Sequence, residues 1–274
     1  MPYTTVIDTA TLAAHLDDPD WAIIDCRFEL ADTGRGEAAY RAGHIPGAVY
    51  AHLDRDLSSA PVTDRGRHPL PSPAAMTRLF GRLGIGERTQ VVAYDDSSGH
   101  YAARLWWMLR YLGHEAVAVL DGGWGAWAAE GRPTQPGIET RDPALFMGEP
   151  RADRLVTIDA VESRPLLVDS RAPERYRGEV EPLDPVAGHI PGAINRPYDA
   201  NWSADGRWRP PEELAGAFGT LLGGTAAAES TFYCGSGVSA CVNLLAMVHA
   251  GLPEGRLYVG SWSEWSRVKV LGDD

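Results

Sequence analysis

Cysteine is scarce in this chain. Cys26, Cys234 and Cys241 are the only 3 in 274 residues, and no two of them form a Cys-x-x-Cys pair. A disulfide framework is thereby excluded, and reduced thiols in a cytoplasm are the expectation. Basic residues are also in deficit, with 25 Lys and Arg against 37 Asp and Glu, a net charge of −12. Such a surface repels polyanions, which argues against nucleic acids and anionic membranes as partners. No apolar run approaches the roughly 18 residues of a membrane span. The opening stretch Met1–Asp20 lacks the basic start and apolar core of a secretory signal. What is present looks globular, with 44% hydrophobic and 23% charged residues. The length suits two domains of roughly 130 residues each.

The chain repeats itself. Asp25-Cys26-Arg27 returns as Asp169-Ser170-Arg171. Ala42-Gly43-His44-Ile45-Pro46-Gly47-Ala48 returns as Ala187-Gly188-His189-Ile190-Pro191-Gly192-Ala193. Leu120-Asp121-Gly122-Gly123-Trp124, with Trp127, is answered by Tyr258-Val259-Gly260-Ser261-Trp262, with Trp265. Three blocks in one order at a nearly constant offset indicate a duplicated domain, since solenoid repeats run only about 20–50 residues. We place the first domain at 1–135, a proline-rich linker at 136–153 and the second domain at 154–274.

Each half alternates short apolar runs with helical patterns. Trp21–Ile24, Gln90–Tyr94 and Ala116–Leu120 are expected as buried strands in the first half. Pro165–Val168, Ser230–Tyr233 and Arg256–Val259 are their counterparts in the second. Such runs separated by helices predict an α/β fold in each half, a mainly parallel sheet with helices on both faces. After Tyr233, Cys241, Leu244, Leu245 and Val248 fall on one helix face, which Gly251 ends. A ligand site is expected in loops at the carboxyl ends of the strands.

The most informative stretch is Tyr233-Cys234-Gly235-Ser236-Gly237-Val238-Ser239-Ala240. A cysteine ends a strand, a Gly-Ser-Gly loop follows, and a helix begins behind it. The two glycines let the backbone curl until several N–H groups point inward as an anion-binding nest, and the helix adds the positive end of its dipole. Both favour thiolate, the nucleophilic form. Cys241 lies on the apolar stripe and Cys26 ends an early strand, so both are expected as packing residues. In the first half Asp95 stands where Cys234 stands in the second. A carboxylate cannot be a sulfur nucleophile, so one active thiol per chain is expected.

These residues carry a family resemblance. The whole chain resembles a two-domain rhodanese of the thiosulfate/3-mercaptopyruvate sulfurtransferase class. The block from Tyr40 to Ala48 resembles the amino-terminal signature of that family. Tyr258 to Trp265 resembles its carboxyl-terminal one, with Val259 a departure. The resemblance implies a ping-pong sulfurtransferase in which Cys234 becomes a persulfide. The sulfur would come from a small anionic donor and pass to cyanide or a thiol, a thioredoxin-like protein among the candidates. It implies no metal and no organic cofactor.

Cys-Gly-Ser-Gly-Val-Ser resembles the mercaptopyruvate version of the loop, with Gly235, Ser236, Gly237 and Val238 matching and Ser239 replacing threonine. Arg175 aligns with the arginine that holds the donor's anionic end, as a bidentate guanidinium can. A second arginine expected shortly afterwards is absent, with Leu183 near its place, so thiosulfate and 3-mercaptopyruvate both stay open. The resemblance also implies a proton relay of Ser236, His44 and Asp32, which would set the site between the two halves. Two competing readings are weighed. A Cys-x5-Arg phosphatase needs arginine where Ala240 stands, and is rejected. A persulfide carrier or docking module that does not turn over is the alternative.

Overall fold

Both halves form the sheet that their apolar runs predict. The computed structural model of the protein describes residues 1–62 and 65–272. The first sheet contains β1 (Val6–Ile7), β2 (Trp21–Asp25), β3 (Val49–Tyr50), β4 (Gln90–Tyr94) and β5 (Val117–Leu120), in the order β1-β5-β4-β2-β3. The second contains β6 (Leu155–Val156), β7 (Leu166–Asp169), β8 (Ile194–Asn195), β9 (Ser230–Tyr233) and β10 (Arg256–Tyr258), in the order β6-β10-β9-β7-β8. All pairings are parallel, and the two strand orders are one permutation used twice. β2, β4 and β9 are buried at every position, which is why they read as continuous apolar runs instead of alternating ones. The edge strands β1, β3, β6 and β8 span two residues each, too few to leave a pattern.

Contacts divide the chain into two units, Met1–Ser58 with Pro71–Arg151, and Ser59–Leu70 with Ala152–Asp274. The short segment Ser59–Leu70 therefore belongs with the second unit although it lies within the first half of the sequence. Much of the proline-rich stretch 136–153 runs along the first unit. Phe146 is buried there, 5.1 Å from the Phe80 ring, and the N–H groups of Ala144 and Arg151 each bond a carbonyl of that unit at 2.9 Å. One buried apolar side chain and several backbone hydrogen bonds dock the strap.

The helix Ala240–His249 also differs from expectation. It is buried on every side from Ala240 to Met247, not along one stripe. Asn243 is fully buried because its amide is saturated. Nδ2 donates to Ser170 Oγ (3.0 Å) and the Arg196 carbonyl (2.9 Å), while Oδ1 accepts from Arg196 and Asn201 (2.7 Å each). Gly251, at φ +77°, ends the helix as the sequence suggests.

The repeated blocks form one buried network twice. Arg27 donates to Asp25 Oδ2 (2.6 Å) and the Gly43 carbonyl (2.7 Å), and Arg171 donates to Asp169 Oδ2 and the Gly188 carbonyl (2.6 Å each). The Tyr94 hydroxyl donates to Asp25 (2.6 Å) and accepts the Ile45 N–H, as the Tyr233 hydroxyl accepts the Ile190 N–H (3.1 Å). Each arginine also lies over a tryptophan, Trp124 at 4.3 Å and Trp262 at 5.0 Å. Removing one member of a buried ion pair strands the other, at a cost of about 3–5 kcal/mol. We therefore expect Asp25→Ala to lower the free energy of urea unfolding by about 3 kcal/mol. A loss below about 1 kcal/mol would show that Arg27 does not depend on this carboxylate.

Candidate active site

Cys234 follows the last residue of β9 and is 2% exposed. Its loop is fixed from behind by the stretch after β10. The Trp262 N–H bonds the Cys234 carbonyl (3.0 Å) and the Ser263 N–H bonds the Gly235 carbonyl (2.9 Å). The Cys234 N–H in turn donates to Ser261 Oγ (3.1 Å). Gly237 sits at φ +75°, and a Cβ there would stand 2.3 Å from the Val259 carbonyl oxygen, so only glycine fits the turn. Burial alone pushes the Cys234 thiol up. The Ser239 hydroxyl and the backbone N–H groups of Ser236, Ala240 and Gly237 outweigh burial and hold the thiol below the ordinary cysteine value.

The same cradle exists in the first unit and is filled by a carboxylate. Asp95 Oδ1 accepts from Ser97 and Gly99 (2.8 Å each), and Oδ2 accepts from Tyr101 and Ala102 (2.9 Å each). No donor among these four is left for a reacting group. The other two cysteines are built to be inert. Burial, then the carboxylates of Asp95, Asp25 and Asp56, push the Cys26 thiol well up, and Cys241 is fully buried with its thiol on the Gly237 carbonyl at 3.5 Å.

Charged groups surround the Cys234 loop. Arg175 pairs with Glu181, Nη2 to Oε1 at 2.6 Å, and lies 3.7 Å from Asp184. Its guanidinium nitrogens come within 3.5 and 3.6 Å of where a Cβ on Gly235 would stand. Glu181 also takes Arg171 at 3.1 Å. Burial opposes ionisation of Glu181, but Arg175, the Leu183 N–H and Arg171 together hold its carboxyl below the usual range. From the segment Ser59–Leu70, Arg67 pairs with Asp184, and its N–H donates to Ser263 Oγ (3.1 Å). Its neighbour His68 places Nδ1 2.7 Å from Ser236 Oγ, with both residues buried.

Comparisons with known proteins identify the family. The model of the rhodanese-like domain matches the chain twice, over residues 8–130 and 155–268. The chain belongs to the rhodanese family. A Pseudomonas aeruginosa protein named "Probable 3-mercaptopyruvate sulfurtransferase" is 47% identical, covering 97% of this chain and 96% of its own length. The rat thiosulfate sulfurtransferase is 34% identical, covering 97% of this chain and 93% of its own. The solved 3-mercaptopyruvate sulfurtransferase from Leishmania major superposes with a TM-score of 0.87 at 31% identity, covering 97% of this chain and 75% of that one. This rhodanese is an enzyme of the sulfurtransferase class.

Not every residue expected in the site of this rhodanese is brought to it. Cys234, Gly235, Ser236, Gly237, Val238, Ser239 and Arg175 are together in the second unit. The histidine on Ser236 is His68, which corrects the expectation of His44. His44 lies in the first unit, with Nδ1 on the Tyr40 carbonyl (2.8 Å) and its ring stacked on Tyr40 at 4.2 Å. Its duplicate His189 does the same with Tyr176, at 2.7 and 4.0 Å. A role performed twice in the same way is that of the repeated fold, not of the single thiol. Asp32 is exposed, and its carboxylate accepts the Gly34 N–H (3.2 Å) ahead of the helix Arg35–Ala42. Sequence inspection missed His68 and Arg67, and Arg-His-Pro in a loop carries no spacing signal that finds them.

The thiol's setting is directly measurable. Alkylation by iodoacetamide should occur at Cys234 with a pH inflection below that of an ordinary cysteine, while Cys26 and Cys241 stay unmodified in the folded protein. Ser239→Ala should move the inflection upward, because it removes a donor to the thiolate. An unmoved inflection would remove Ser239 from the cradle.

Proposed function

We propose that the Cys234 thiolate takes a sulfane sulfur from a small anionic donor and passes it to a thiophilic acceptor by a ping-pong route. The observation that supports this most directly is the buried thiol inside a ring of N–H donors, with the Arg175 guanidinium against the adjacent glycine. Thiolate attack on the donor's outer sulfur forms the Cys234 persulfide and breaks the donor's bond to that sulfur. With 3-mercaptopyruvate the C–S bond electrons leave on the enolate of pyruvate, which needs a proton at carbon. With thiosulfate the S–S bond electrons leave on sulfite, which needs none. An acceptor such as cyanide, a small thiol or a thioredoxin-like protein then attacks the outer sulfur and regenerates the thiolate. The N–H ring stabilises the anionic sulfur in both half-reactions.

The Ser236–His68 pair supplies the proton that the enolate requires, with the serine hydroxyl facing the loop and the imidazole restoring its proton. Names among the relatives divide between the two donors. The proton requirement separates them: Ser236→Ala should lower kcat with 3-mercaptopyruvate about 10- to 100-fold and leave thiosulfate within about threefold. Equal losses with both donors would take the pair out of proton transfer.

Mass spectrometry tests the covalent step. Donor-treated protein should gain one sulfur atom on Cys234, and Cys234→Ser should abolish both the gain and turnover. Sulfur on Cys26 or Cys241 instead would overturn the assignment. The alternative of a carrier without turnover predicts one sulfur per chain but no repeated transfer to cyanide, so steady-state thiocyanate formation decides between the two. Side-by-side kcat/KM values for the two donors define the preference.

A further inference from the structure

We propose that the first unit binds a small aromatic anion, a carboxylate, sulfonate or phosphate ester, in a cavity bounded by the proline-rich strap. The cavity encloses about 380 Å³ between the helix Arg35–Ala42, β3, the end of the helix Pro73–Arg82 and the strap from 138 to 143. Small-molecule sites run from about 300 Å³ upward, and a cavity of about 150 Å³ already holds benzene. A fused bicyclic ring with one acid group is therefore within its size. All of the lining residues belong to the first unit, and none is in the Cys234 loop. The inference is independent of the role proposed for Cys234.

Charge selects the sign of the occupant. The chain carries a net charge of −12, yet four arginines and only three carboxylates line this cavity. Glu37 serves two of the arginines, taking Arg41 Nη2 at 2.7 Å on one oxygen and Arg55 on the other. Asp56 takes Arg82 Nη2 at 2.5 Å, and Glu139 accepts the side-chain amide of Gln135. Arg141 has no carboxylate. Among the described residues its side chain bonds the Pro19 carbonyl alone, from Nη2 at 3.1 Å, and its Nε is buried without a partner. Burial disfavours the charged guanidinium, and no ion pair compensates. An anion in the cavity supplies the missing countercharge, and a planar carboxylate or a phosphate matches a guanidinium's paired donors.

The walls select the body of the occupant. The Tyr40 and Tyr50 rings stack at 5.3 Å, and Val49 and Leu83 bring apolar side chains to the same cavity. Ile138 lines it too, and is 58% exposed. A flat ring laid against these groups removes apolar surface from water, a gain that an inorganic ion does not offer. Arg141 and Ile138 stand three positions apart on the strap, so one segment presents both the charge and the apolar contact.

Calorimetric titration of the full chain tests the site with 2-naphthoate, 1-naphthalenesulfonate and 1-naphthyl phosphate. Neutral 2-naphthamide and inorganic phosphate are the controls. At least one of the three anions should bind once per chain, about tenfold or more tighter than either control. The anion that binds tightest identifies the acid group. Arg141→Gln should weaken its binding about 10- to 100-fold and leave 2-naphthamide within about threefold. Ile138→Ser, at an exposed position, should weaken the anion and the amide alike, by about three- to tenfold. Arg175→Gln should change neither. No saturable binding of any of the three anions would overturn the proposal, as would equal affinity for anion and amide. Binding that survives Arg141→Gln unchanged, or that is lost in Arg175→Gln, places the probe elsewhere and overturns it too. Should Arg141→Gln fail to fold, Ile138→Ser decides alone: weakened binding supports the site, and unchanged affinity overturns it.

Discussion

A ring of backbone N–H groups at the end of a central buried strand must be given an acceptor, and both halves of this rhodanese are organised around that requirement. An unsatisfied buried donor costs about 1–3 kcal/mol, so four of them left unpaired would be a large fraction of a domain's stability. Asp95 meets the requirement with two bonds to each carboxylate oxygen. Cys234 meets it with a sulfur that three N–H groups and a hydroxyl favour as an anion. The carboxylate is a permanent occupant with no group to transfer. The thiolate is polarisable and nucleophilic. One fold with two occupants yields one structural unit and one reactive unit.

Holding the ring in shape falls to residues that never meet the donor. The stretch after β10 fixes the carbonyls of Cys234 and Gly235, and the buried Asp–Arg pair at the carboxyl end of β2 and of β7 ties the strand ends to the Gly-His-Ile-Pro-Gly block. From that pair a row of alternating charge runs toward the loop: Asp169, Arg171, Glu181, Arg175, Asp184 and Arg67. Because the signs alternate, each inner member has an opposite charge on either side, and the desolvation of each is offset twice.

Much of this was legible in the sequence. The duplication, the apolar runs Trp21–Ile24, Gln90–Tyr94 and Ser230–Tyr233, and the Cys-Gly-Ser-Gly turn are local or periodic, and local signals survive without a structure. The contacts of Arg67 and His68 are not local. His68 meets Ser236 across 168 positions and Arg67 meets Ser263 across 196. No periodicity reports a loop that folds onto the other half of its own chain. His44 misled for the opposite reason: a histidine in a strong motif invites a chemical role, yet its Nδ1 is committed to a tyrosine carbonyl in both copies. The all-round burial of Ala240–His249 was likewise hidden, since a buried asparagine reads as polar until its partners on Ser170, Arg196 and Asn201 are seen.

The two halves also place different residues at one equivalent left-handed position, in a way that follows from their occupants. Gly123 and Ser261 precede the equivalent tryptophans Trp124 and Trp262, and both adopt left-handed backbone, at φ +54° and +56°. At Gly123 a Cβ would lie 2.3 Å from the Asp95 carbonyl oxygen, so glycine is the residue that fits. Serine at 261 accepts a conformational cost of roughly 1–2 kcal/mol. Its hydroxyl donates to the Tyr258 carbonyl (2.9 Å) and accepts the Cys234 N–H (3.1 Å), two bonds of about 1 kcal/mol each that offset the strain. The carboxylate of Asp95 is located by four bonds of its own and needs no such brace. A sulfur accepts only weaker, longer hydrogen bonds than a carboxylate oxygen and is located less firmly by them. The backbone beneath it is therefore fixed from the far side, by a side chain that a glycine could not supply.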